Sequence, residues 1–94
     1  MKNNQFEKAA NIYEQILHKE GTSNIEVLYL LGVCKYHLER FEEAIKIFIN
    51  VLVKDDHYRK NVYLFLAISY KKINEIEDSL LIVILNLILA CKSN

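Results

Sequence analysis

The chain has 94 residues, enough for one small domain with a thin margin of buried surface. Its twelve basic and twelve acidic residues cancel and are interspersed, so no basic stripe exists to neutralise phosphates and no nucleic-acid partner is expected. Hydrophobic residues make up 52%, proline is absent and glycine stands only at Gly21 and Gly32, a composition that excludes a loop-rich or sheet-rich fold and reads as all-α.

Met1 to Gln5 is polar and no apolar core region follows, so no signal peptide is expected at the start. The first predicted helix covers 6–19 and the second 25–38, the latter marked by Leu28, Leu31, Gly32, Lys35 and Leu38. The third covers 41–54, where Phe41, Ala44, Ile45, Phe48, Val51 and Leu52 recur at three and four residues and share one face. Only Glu39 and Arg40 connect the second and third, which dictates an antiparallel helical hairpin. A fourth helix is predicted over 60–73 and a fifth over 76–91. Cys34 and Cys91 fall inside helices and read as buried thiols of a reducing compartment, so the expected address is cytoplasmic or otherwise intracellular.

Displacing the sequence by thirty-five residues aligns it with itself without a gap. Phe6, Phe41 and Ile76 coincide, as do Ala9, Ala44 and Ser79, Tyr13, Phe48 and Val83, and Leu17, Leu52 and Leu87. Leu31-Gly32-Val33 matches Leu66-Ala67-Ile68 in the same register. Small residues recur where helix axes must approach: Gly32 and Ala67 on the first helix of each pair, Ala9, Ala44 and Ser79 on the second.

The run Leu28-x-x-Leu31-Gly32-x-x-Lys35, followed by Phe41-x-x-Ala44-x-x-x-Phe48, resembles the tetratricopeptide repeat, whose period is about 34 residues. Tyr63-x-x-Leu66-Ala67-x-x-Tyr70 and Phe6-x-x-Ala9-x-x-x-Tyr13 resemble parts of further units, so nearly the whole chain is covered. The family's proline is missing, with Asp56 near its place in the middle unit. The resemblance implies an α-solenoid of antiparallel helix hairpins, about five helices in all. They divide into a half repeat at 6–19, a repeat at 25–58 and a repeat at 60–91. The array starts in mid-unit and ends without a polar capping helix.

Two surfaces follow as candidates. By resemblance to the family, the first helix of each pair lines a concave, peptide-accepting face. Its residues would be Glu26, Tyr29, Val33, Tyr36 and His37 in one unit, and Asn61, Leu64, Ile68, Lys71 and Lys72 in the next. The lysine and asparagine clamp by which one branch of the family holds carboxylate tails is largely absent. The second candidate is the terminal helix, almost continuously apolar from Leu80 to Cys91. Ile82, Ile84, Leu85, Ile88 and Leu89 lie beyond the stripe that would pack on its own hairpin. Further repeats, another subunit or a membrane surface would each cover it; at twelve residues it falls short of the about 20 apolar residues a span needs.

No catalytic constellation is expected. His18, His37 and His57 are too widely spaced for a zinc site, and two isolated glycines make no phosphate loop, so neither metal nor cofactor is expected. The function read from the sequence is a non-enzymatic protein–protein interaction scaffold, part of a larger superhelix or multi-subunit assembly and able to dock or self-associate through its terminal helices. The alternative is a peptide-binding adaptor, of the co-chaperone or organelle-receptor kind, working through the concave face. A membrane-associated adaptor is a third.

Overall fold

A computed structural model describes residues 2–21 and 23–92, with the side chains of residues 2, 3, 76, 79, 91 and 92 outside the described residues. Four helices follow one another: α1 (Lys2–Glu20), α2 (Ile25–His37), α3 (Phe41–Lys54) and α4 (Asn61–Lys92). α2 packs between α1 and α3, and the first half of α4 packs on α3, giving an elongated body of 60 × 29 × 22 Å.

The helix boundaries have local causes. Gly21, at φ +82°, ends α1, and its N–H donates to the Leu17 carbonyl. Asn24 caps α2, its side-chain oxygen accepting the Val27 N–H at 3.2 Å. Beyond α2 the Glu39 N–H donates to the Tyr36 carbonyl and the Arg40 N–H to the Lys35 carbonyl, with Glu39 at φ +63°. This is the paired 6→1 and 5→2 closure that normally recruits glycine or asparagine at the left-handed position. Glu42 and Glu43 open α3, where carboxylates meet the positive end of the helix dipole.

The predicted α2–α3 hairpin is present, and its two helices meet at Gly32. A Cβ built on Gly32 would lie 2.8 Å from Phe48 Cε1 and 3.1 Å from Ile47 Cγ2, so a larger residue would separate the helices. Ala44 and Phe48 are fully buried on the facing side. Leu28, Tyr29, Val51 and Val62 complete this core, while Ala10, Leu31 and Cys34 form a second one toward α1. Lys35 is also buried. Its ammonium lies between Glu14 of α1 at 3.4 Å and Glu43 of α3 at 3.2 Å, one cation joining three helices.

The fourth and fifth predicted helices are a single helix of 32 residues. Where a turn was expected at Asn74-Glu75, Lys71 to Asp78 holds neither glycine nor proline, and Lys72 reaches Glu75 one turn on at 4.0 Å. Local propensity therefore carries the helix through. Beyond Ile73 the second half of α4 projects as an arm, exposed at every described side chain from Glu77 to Ala90.

Candidate functional site

The concave-face candidates divide by what holds them. Tyr29 is core, 8% exposed, with its hydroxyl accepting from Asn61 Nδ2 at 2.7 Å. This corrects its expected place in the groove: its ring faces Phe48 at 6.3 Å and Tyr58 at 5.7 Å. Glu26 accepts the Tyr58 hydroxyl proton at 2.9 Å and pairs with Arg59 at 3.6 Å. The Arg59 guanidinium in turn lies over the Tyr29 and Tyr58 rings, 5.1 and 5.2 Å from their centroids. Burial, and then the hydrogen bond to Glu26, push the Tyr58 phenol above its ordinary value, against the pull of Arg59.

Glu26, Tyr29, Tyr58, Arg59 and Asn61 thus form a clasp between one unit and the next. Tyr58 and Arg59 were invisible as members because their partners lie about thirty residues away in sequence.

Tyr36 is half-buried, its ring edge-on to Phe65 at 4.8 Å and to Phe41 at 5.8 Å. His37 is exposed but stacked on Phe6 of α1, with centroids 4.6 Å apart. Val33 and Ile68 are half-buried, while Leu64, Lys71 and Lys72 are exposed. What remains open on this face is therefore a narrow strip: Leu64 with its flanking lysines.

The arm is the larger surface. Ile82, Ile84, Leu85, Ile88 and Leu89 are each 47–62% exposed, as are Leu80, Leu81, Val83 and Leu87. All five are exposed, and so are the residues expected to pack inward, because no hairpin closes around them. No helix among the described residues is long and apolar enough to cross a membrane.

Among the described residues, one group has metal-ligand character, the exposed turn Asp55-Asp56-His57. Its donors are engaged with one another: the His57 N–H donates to Asp55 Oδ1 and the His57 ring meets Asp56. The hydrogen bond and charge of Asp56 hold the His57 imidazole above its ordinary value. Cys34, buried, has its thiol pushed upward by desolvation, with Lys35 opposing. That is the behaviour of a packing residue rather than a nucleophile.

Comparison with known proteins gives one positive result. A family model described as tetratricopeptide repeat matches residues 1–67. No curated protein and no solved structure matches the chain.

Proposed function

Because the chain belongs to the tetratricopeptide repeat family, we propose that it works as a non-enzymatic protein–protein interaction scaffold, one piece of a larger repeat superhelix or multi-subunit assembly. The arm carries this reading. Nine large apolar side chains between Leu80 and Leu89 stand about half exposed, and extended exposed apolar surface marks a contact site. Contact with protein falls on Ile82, Ile84, Leu85, Ile88 and Leu89, in an intracellular aqueous setting. The concave face contributes less, since its best aromatic, Tyr29, is taken up by the core.

Size-exclusion chromatography with light scattering tests the reading on the 94-residue chain and on Ile84→Glu/Ile88→Glu. The unaltered chain is expected to run as an assembly and the double variant as a monomer of equal helix content. A well-behaved monomer of the unaltered chain sinks the proposal.

A further inference from the structure

We infer that α4 is a two-state element: it breaks at Asn74, and residues 76–90 then fold back onto an exposed face of its own first half. The straight helix is the open state. The occupant of that face is identified by comparing the two units position by position.

In the first unit, Leu28, Leu31 and Lys35 are 3%, 5% and 4% exposed, and Gly32 is buried beside them. Thirty-five residues on stand Tyr63, Leu66, Ala67 and Tyr70. Leu66 is half-buried against the core, but Ala67 is exposed, Tyr63 is 52% exposed and Tyr70 50%. This is a helix seat without its helix. The missing partner has the mirror defect. Ile45 and Phe48 of α3 are 7% and 0% exposed, whereas their counterparts Leu80 and Val83 are 58% and 54% exposed.

The two halves also match in size. In the first unit the closest approach is Gly32 against the Phe48 ring, which leaves no room for a Cβ. In the second, Gly32 becomes Ala67 and Phe48 becomes Val83. The seat gains a methyl where the incoming side chain loses a ring, so the Cβ that the first unit has no room for can be accommodated in the second. Two unrelated surfaces would have no reason to change in step.

The hinge is present too. The turn between α2 and α3 requires the left-handed conformation at Glu39, φ +63°. Its counterpart is Asn74, and asparagine enters that region at lower cost than glutamate. The second turn is thus better provided than the first, which forms.

The seat is filled by the same chain rather than by a second copy. At about 100° per residue, the seat (Tyr63, Leu66, Ala67, Tyr70) and the packing stripe of the arm (Leu80, Val83, Leu87) point roughly 120° apart on a straight α4. Two straight helices lying side by side cannot satisfy both at once. A bend at Asn74 can, and a three-residue tether gives the arm an effective concentration no free partner matches. Closure leaves Ile84, Ile88 and Leu89 facing outward, as the counterpart of Ile84, Ile49, is exposed on α3. Val53 and Lys54, the counterparts of Ile88 and Leu89 on α3, are exposed in the same way. Fold-back therefore deepens the scaffold reading by choosing which apolar face is offered to a partner, and it rests on that reading for this consequence alone.

The test is Ala67→Cys/Val83→Cys in a chain whose Cys34 and Cys91 are replaced by alanine, treated at low concentration with a short bis-maleimide. On a straight helix the two sites lie about 24 Å apart, out of reach of the reagent. The expected product is a cross-link within one chain, by mass spectrometry and electrophoresis, with helix content unchanged by circular dichroism. Adding Asn74→Ala, which favours the straight helix, is expected to cut its yield at least fivefold, and Asn74→Gly to raise it. A cross-link between chains would overturn the inference in favour of a second copy. An unlinked chain of full helix content would overturn it in favour of a permanently straight α4. A monomer with the within-chain link would uphold closure and sink the scaffold reading. Assembly without that link would sink closure and leave the scaffold reading intact.

Discussion

If Gly32 is glycine only because Phe48 fills the space beside it, then the effect of Gly32→Ala should change sign when Phe48 is cut to valine. In the native core the new methyl would lie 2.8 Å from Phe48 Cε1 and 3.0 Å from Cζ. The ring cannot yield easily: it is fully buried and stacked on Phe65, with centroids 5.3 Å apart and planes 4° from parallel. Overpacking of this kind costs about 1–3 kcal/mol, while alanine recovers about 1 kcal/mol of helix propensity over glycine. The net loss is about 0–2 kcal/mol, to be set against a total stability of about 5–14 kcal/mol for a chain of this length. Phe48→Val alone should cost ~2 kcal/mol, less than the about 3–5 kcal/mol of a Phe-to-Ala truncation. In that background the clash is gone, the methyl enters the vacated space, and Gly32→Ala should stabilise by about 1 kcal/mol. Urea unfolding of the four proteins by far-ultraviolet circular dichroism measures the cycle. If Gly32→Ala has the same effect in both backgrounds to within about 0.5 kcal/mol, the two positions do not trade volume, and the size-matching of Ala67 with Val83 loses its meaning.

Two further predictions concern turns. Glu39→Gly should raise stability by about 1 kcal/mol in the same unfolding assay, because a left-handed non-glycine residue carries about 1–2 kcal/mol of strain and glycine's looser unfolded chain returns part of it; unchanged or lower stability would refute the strain. The His57 imidazole should titrate above its ordinary value by nuclear magnetic resonance and drop back in Asp56→Asn, since Asp56 favours the charged form. With the folded value raised, any stability from this pair is present below the ordinary histidine range and fades as pH climbs through the raised one; an unmoved midpoint in Asp56→Asn would exclude Asp56 as the cause.

The repeat was legible because it is written twice over: a fixed displacement and, inside it, helical spacing. Both are local patterns, and the α2–α3 hairpin they describe is present from the Asn24 cap to the turn at Glu39. Three things were not legible. The clasp of Glu26, Tyr58 and Arg59 joins residues that no periodicity relates. The burial of Lys35 needs Glu14 and Glu43 to arrive from two other helices; the sequence alone shows a lysine where its counterpart is Tyr70, with no sign of which way the amine points. The placement of Tyr29 in the core depends on the Tyr58 ring closing over it.

The continuity of α4 is a different kind of case, since here two levels of information in the same residues disagree. The long-range pattern asks for a turn at Asn74: the register repeats there, an asparagine stands at the left-handed position, and apolar faces on either side fit one another. The short-range pattern asks for helix, because the charged run Lys71 to Asp78 contains strong helix formers and the Lys72–Glu75 pair spans the very place where the chain should reverse. Neither side is overwhelming. A turn must break the backbone hydrogen bonds of about one helical turn, each worth about 0.5–1.5 kcal/mol net, and it returns the burial of several half-exposed Leu, Val and Tyr side chains at about 25 cal/mol per Å². The α2–α3 turn resolves the same contest in favour of reversal even with a glutamate in the strained position. A helix poised between two comparable terms is what a scaffold can use as a joint, since covering the outer face of the arm would be enough to decide which half of α4 stays free.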